Sequence, residues 1–264
     1  MKKEKIMQSI SKFVSLLCCT AVLICAALTS QAQDAPTNVL LYKVVVKPGM
    51  NDQFEEYIGK FKEAVEKTGA PYNWLASMTF AGGGNGYHFV VPFSSWGTFA
   101  EQRDVIKEAF NKREVNRIMG LYQDSTEKEK TVSYSINMDI SRPAPQSDQP
   151  NVAVNLFYIT PKQGMGQQFV QYARKIKEAT DATAPDAYYE FLNPGYGVNS
   201  FLVVSPVKTW KDLDTPPKPI PQRLTEHFGA EEGAKIMEQG NASIANFKSK
   251  LHVVRPDLAR PPAQ

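Results

Sequence analysis

The chain has 264 residues, 42% of them hydrophobic, with 30 Lys and Arg against 27 Asp and Glu and three cysteines, an ordinary globular make-up. The first 32 residues hold four of the lysines (Lys2, Lys3, Lys5, Lys12) and one glutamate, so beyond them 26 basic residues face 26 acidic ones, and the electrostatic footprint of a nucleic-acid binder is missing. Cys18, Cys19 and Cys25 fall in the same stretch, which excludes disulfides, thiolate nucleophiles, zinc–cysteine sites and covalent haem attachment from the remainder.

Taken in chain order, the early lysines precede an uncharged apolar run from Phe13 to Leu28, and Ser30-Gln31-Ala32 then offers small residues where a signal peptidase reads. This predicts a secretory leader over 1–32, cleaved after Ala32, and a periplasmic or secreted product with no membrane attachment after cleavage. The run is shorter than the ~20 apolar residues a spanning helix needs. Val39 to Val46 is rich in Val and Leu and reads as a strand. Phe54, Tyr57, Ile58, Phe61 and Val65 then fall on one helical stripe, with Glu55, Glu56, Lys60 and Glu63 off it. Two strands, Tyr72 to Phe80 and Tyr87 to Val91, flank the glycine-rich turn Ala81 to Gly86. A second helical region is expected from about Trp96 to Tyr122, in one or two pieces, followed by a last strand from Thr131 to Ile140.

The whole series then recurs. Gly49-Met50, Phe54, Tyr57 and Lys62-Glu63-Ala64 return as Gly164-Met165, Phe169, Tyr172 and Lys177-Glu178-Ala179. Ala70-Pro71, Gly83, Asn85, Pro92 and Trp96 return as Ala184-Pro185, Gly197, Asn199, Pro206 and Trp210, and Pro216, Pro217, Pro219 and Pro221 interrupt the start of the second helical region. At the ends, Asn38-Val39 matches Asn151-Val152 and Arg142-Pro143 matches Arg255-Pro256. The domain reading is one repeat over 38–143, a linker over 144–150, a second repeat over 151–257 and a tail over 258–264.

The order β-α-β-β-α-β is the ferredoxin-like motif, an antiparallel sheet with both helices on one face. The fold class is therefore α+β, two tandem ferredoxin-like units packed sheet to sheet as a fused barrel. In the last strands Ile136, Met138 and Ile140 alternate with Asn137, Asp139 and Ser141, and Leu251 and Val253 with Lys250 and His252; the polar sets are expected on the helix-free side. With the Pro48-Gly49-Met50 start of the first helix and the tryptophans after the third strands (Trp96, Trp210), the chain resembles the dimeric α+β barrel superfamily, which includes NIPSNAP-like proteins and antibiotic-biosynthesis-type monooxygenases. The resemblance implies a pocket between sheet and helices or inside the barrel, and activities from cofactor-free oxidation through haem degradation to none.

Candidate site residues follow from the face argument. His252, Asp139, Asn137 and Lys250 would share the inter-sheet side, where a carboxylate beside an imidazole can hold a tautomer and serve a general base; a hydrogen-bond network that docks the two sheets explains the same residues. Glu190 is the one carboxylate inside a central stretch of strand, matched to Ala76 in the first repeat, and is a candidate acid or base if buried. His88, Tyr188 and Trp74, among many strand aromatics, could line a pocket for a small apolar or aromatic ligand, though aromatics in strands usually pack cores. Trp96 and Trp210 are expected to pack where their following helices begin. No His-x-His or His-Glu-x-x-His pattern occurs, so no metal and no cofactor is called for. Three functions compete: small-molecule binding or an accessory role through an inter-sheet pocket, a cofactor-independent monooxygenase-like enzyme, and haem binding through His252 or His88. A monomer with a pseudo-twofold or a homodimer is open.

Overall fold

The computed structural model describes residues 37–97, 104–145 and 150–261; the expected leader and residues 146–149 of the linker lie outside them. β1 (Asn38–Val46) is a Val- and Leu-rich strand covered on both faces. α1 (Asn51–Thr68) buries Phe54, Ile58, Ala64 and Val65 and stops at Gly69, whose φ of 63° is left-handed and lets its N–H close on the helix's last carbonyls. β2 (Leu75–Ala81) and β3 (Gly86–Phe93) form the hairpin. α2 (Val105–Ala109) and α3 (Lys112–Ser125) follow, the latter started by an Asn111–Glu114 capping box, and β4 (Thr126–Ile136) leaves α3 with no loop between.

The second half repeats the series as β5 (Ala153–Pro161), α4 (Gly166–Thr183), β6 (Glu190–Pro194), β7 (Phe201–Val207), a single 3-10 turn (Trp210–Leu213), α5 (Ile220–Phe228), α6 (Ala230–Ser243) and β8 (Ile244–Val254). Pro221 sits in the first turn of α5, where a missing N–H costs nothing. No helix among the described residues is long and apolar enough to cross a membrane.

The eight strands close into one antiparallel barrel in the order β1-β3-β2-β8-β5-β7-β6-β4. Each half contributes its strands in the same order, and the halves join along two seams, β2 to β8 (Thr79 opposite His252) and β4 to β6 (Tyr134 opposite Pro194). The helix-free faces thereby become the inside of the barrel, and closure leaves no free strand edge. Val39, Leu41, Val132, Tyr134, Leu156 and Val204 belong to the interior filling, while the helices pack on the outside over one core per half.

The ladders fix the internal correspondence and move it from the sequence match. Val39 faces Pro92 and Tyr134 across β1, whereas Val154 faces Pro206 and His252 across β5. Val39 therefore corresponds to Val154 instead of Val152, and His252 to Tyr134. At the ends Arg142 bridges Tyr189 and Arg260 bridges Trp74, so Asp139-Ile140-Ser141-Arg142-Pro143 corresponds to Asp257-Leu258-Ala259-Arg260-Pro261. Residues expected in a tail are structural: Leu258 and Ala259 are buried in the first half's outer core, and reciprocally Ile140 is buried in the second half's. Each half ends by crossing onto the other.

β4 also stops four residues before the expected Ile140. The Ile136 N–H donates to the Thr37 carbonyl, and the Asn137 carbonyl then accepts from the N–H groups of Ile140 and Ser141, which turns the chain. Ile136 consequently packs inside the barrel, Met138 is exposed, and Ile140 alone of the three reaches an outer core. Trp96 and Trp210 are half-exposed, each packing against the hairpin of the opposite half, Trp96 edge-on to Tyr196 and Trp210 tilted against Phe80, both with centroids 5.4 Å apart.

Candidate ligand site at the barrel mouth

The apolar filling stops short of one end of the barrel, where a cavity of about 590 Å³ opens. Strand periodicity explains its lining. Along β1 the inward residues run Val39, Leu41, Lys43; along β4, Tyr134, Val132, Lys130; along β5, Val154, Leu156, Tyr158; along β8, Val254, His252, Lys250, Lys248. Every second residue faces in, and each of these columns turns from apolar to polar at the same end. The cavity wall therefore carries Lys43, Lys130, Lys248 and Lys250 with His88 and Tyr158, and the β6–β7 turn adds Asn199 and Ser200.

Lys43 is the centre of this arrangement. It lies directly opposite His88 on β3 and Lys130 on β4, and its Nζ stands 4.3 Å from the centre of the Tyr158 ring. Burial, reinforced by Lys130 and Lys250, brings its ammonium down from an ordinary 10.5 to about 8. Among the described residues no carboxylate lines the cavity and none of the four lysines forms a salt bridge; Lys250 donates to the Gly83 carbonyl at 3.2 Å. The buried Tyr158 hydroxyl has no hydrogen-bond partner among the described residues, an expensive condition for a polar group.

Behind the lysines the rings of His88 and His252 lie 4.2 Å apart, tilted by 39°. His252 is fully buried, with Nδ1 3.2 Å from Ser77 Oγ and Nε2 3.1 Å from Thr79 Oγ1. The Thr79 hydroxyl donates to the Gly86 carbonyl, so it accepts from Nε2–H, and Nδ1 accepts from Ser77: a neutral imidazole in a defined tautomer. Burial, then the charges of Lys250 and Lys43, push His252 down to about 4. Burial, then His252, Lys43 and Lys250, hold His88 well below the usual imidazole range.

Of the residues singled out in the sequence, Lys250, His252 and His88 come together here. Asp139 and Asn137 do not join them, because β4 runs away from the mouth and both follow its far end. Asp139 is exposed, 3.6 Å from Arg174, and the Asn137 side chain donates to Asn193. Glu190 is buried and faces inward, corresponding to Leu75 instead of Ala76, but begins β6 at the end away from the mouth. Tyr188 precedes it there, with Arg142 and Lys208 each 6.0 Å from its ring centre. Trp74 points to the outer core, its Nε1 donating to the Leu258 carbonyl at 2.7 Å. Tyr158, one of the strand aromatics the sequence offers for a pocket, does line the cavity, whereas Lys43, Lys130 and Lys248 escaped sequence reasoning; the available signal was Lys43, a charge interrupting a run of Val and Leu.

Among the described residues no group of three or more His, Cys, Asp or Glu could hold a metal. The residues do not fit a haem held by His252, since both ring nitrogens are engaged and the ring is fully buried.

No protein-family model matches the sequence, and no curated protein does. Among solved structures, a candidate monooxygenase from Fusobacterium nucleatum superposes with a TM-score of 0.51 at 14% identity, covering 82% of this chain and 91% of its own. A chlorite dismutase variant from Candidatus Nitrospira defluvii gives 0.50 at 5% identity, covering 89% and 99%. The fold is the dimeric α+β barrel. In this α+β barrel both units belong to one chain, and the likeness extends to the fold alone.

Proposed function

We propose that the protein binds a small organic anion in the mouth of its barrel. The observation that carries this is the ring of four lysines around the cavity with no carboxylate among the lining residues. Like charges facing one another across a ladder destabilise a sheet, and an incoming anion relieves that repulsion while gaining charge-assisted hydrogen bonds. Tyr158 and Val198 beside the lysines, with the apolar filling behind, suit an apolar body on the ligand. An exported location belongs to this reading through the leader expected over 1–32, and sequencing the N-terminus of the secreted protein tests cleavage after Ala32.

Calorimetric titration with hydrocinnamate, and with its neutral amide, tests the binding. The acid binds and the amide does not; Lys130→Met and Lys250→Met each weaken the acid about tenfold, roughly 1.4 kcal/mol, and added salt weakens it further. Equal binding of acid and amide, or indifference to both substitutions, overturns the proposal. His88 keeps a face on the cavity, so a haemin titration whose Soret shift vanished in His88→Ala would replace the anion reading by a haem one.

A further inference from the structure

We propose that Lys43 forms a reversible imine with the carbonyl group of an α-keto acid whose carboxylate lies among Lys130, Lys248 and Lys250. The inference rests on the anion-binding reading and adds a covalent step to it. Its geometry is the row across the inner wall: His88, Lys43 and Lys130 occupy directly opposed positions on three adjacent strands, so their side chains emerge side by side into one cavity. Among the described residues Lys43 is the one lysine of the four whose ammonium is held against an aromatic face, that of Tyr158. The other three supply positive charge around it, the arrangement that turns a lysine into a carbonyl nucleophile.

The groups facing Lys43 all act in one direction. Lys130 and Lys250 repel its proton, burial disfavours the ammonium, and its value near 8 leaves about a tenth of it as free amine at neutral pH. Lys248, His252 and Tyr158, which complete the surroundings, bring no negative charge at that pH. In the step itself the amine lone pair attacks the carbonyl carbon, forming the N–C bond, while the carbonyl π electrons move to oxygen, which takes a proton from a neighbouring ammonium. The nitrogen gives a proton to the amine left by that transfer, restoring the ammonium, while neutral His88 stands directly opposite Lys43 and adds no charge. The same ammonium then protonates the hydroxyl, the C–O bond breaks as water leaves, the nitrogen lone pair closes the C=N bond, and the remaining N–H proton returns to the amine, which is an ammonium again. Amine and ketone become imine and water, with no change of oxidation state.

The test incubates the full-length protein with phenylpyruvate and sodium cyanoborohydride, which reduces an imine to a stable secondary amine, and maps the adduct by peptide mass spectrometry. The expected result is labelling at Lys43 at least tenfold above Lys248 or any helix-surface lysine, suppressed by excess hydrocinnamate and lost in Lys43→Arg that keeps its circular dichroism spectrum. Labelling spread over surface lysines with no excess at Lys43, or labelling that hydrocinnamate leaves untouched, overturns the inference. If hydrocinnamate binds in calorimetry and Lys43 is not labelled, the covalent step falls while anion binding stands. If hydrocinnamate does not bind, both fall.

Discussion

Replacing Lys43 by methionine removes a charge that the barrel interior holds at a disadvantage, and the cost can be worked out from its surroundings. The displacement from 10.5 to about 8 corresponds at 1.36 kcal/mol per pH unit to about 3 kcal/mol, an upper figure because the side chain keeps partial access to solvent. Methionine fills the same column without the charge, so Lys43→Met should stabilise the fold by about 1–3 kcal/mol at neutral pH, raising Tm by roughly 3–10 °C for a chain of this size. The sign follows from linkage. Below about 8 both folded and unfolded chains carry the proton and the folded one bears the full penalty. Between 8 and 10.5 the unfolded chain binds more protons, so wild-type stability rises with pH in that window, and the advantage of the variant shrinks there and disappears above it. Thermal unfolding of both proteins, followed by circular dichroism from neutral pH to beyond 10.5, measures the difference while cancelling the titration of the groups remote from Lys43. A variant less stable than the wild type at neutral pH, or a gap that does not change with pH, would refute the reasoning. A stabilising substitution that also abolishes ligand binding is the signature of a site retained at the expense of stability.

The buried histidine gives the opposite limb. His252 is displaced from 6.5 to about 4, so as pH falls through that window the unfolded chain takes the proton first and stability drops, by up to about 3 kcal/mol; urea unfolding of His252→Gln should show a flatter acid limb than wild type. At the β4–β6 seam a Cβ on Gly195 would lie 2.8 Å from the Ser133 carbonyl oxygen and collide with the Ser133 hydroxyl, which accepts from the Tyr196 N–H at 2.7 Å. Gly195→Ala should therefore cost about 2–4 kcal/mol by forcing the hairpin off β4. Gly120 in α3 has open space at its Cβ position, so Gly120→Ala should gain about 0.5–1 kcal/mol, and denaturant midpoints will separate the two signs. Arg142 donates to the Ala184 and Ala187 carbonyls at 2.9 and 2.7 Å and pairs Asp181; a lysine cannot reproduce that fork, and Arg142→Lys should lower the midpoint by the equivalent of about 1–3 kcal/mol.

The strands and helices were legible because their periodicities are strong: the stripe of Phe54, Ile58 and Val65 is the buried face of α1, and the repeated Gly-Met pairs begin equivalent helices. What misled was alternation continuing past a strand's end. Ile136, Met138 and Ile140 look like one face, yet the turn at Asn137 sends them to the interior, the solvent and the opposite half's core. The same turn hid the match of Asp139–Pro143 with Asp257–Pro261, since two Arg-Pro pairs near the C-terminus compete and only the bridge of Arg260 to Trp74 chooses between them. At the site, Lys250 and His252 were readable from the face of β8, while Asp139 was drawn in by that mistaken register. Lys43, Lys130 and Lys248 were passed over because a lysine on a strand ordinarily ends in solvent, and only barrel closure gathers them around one cavity.

The account stands most directly on where an anion settles. Diffraction from crystals soaked in para-bromohydrocinnamate locates both ends of the ligand, the bromine by its anomalous signal and the carboxylate by its density. The carboxylate is expected within hydrogen-bond reach of Nζ of Lys43, Lys130 or Lys250, with the bromine toward Tyr158 and Val198. A fully occupied ligand elsewhere on the molecule, with the mouth holding only water, would contradict it.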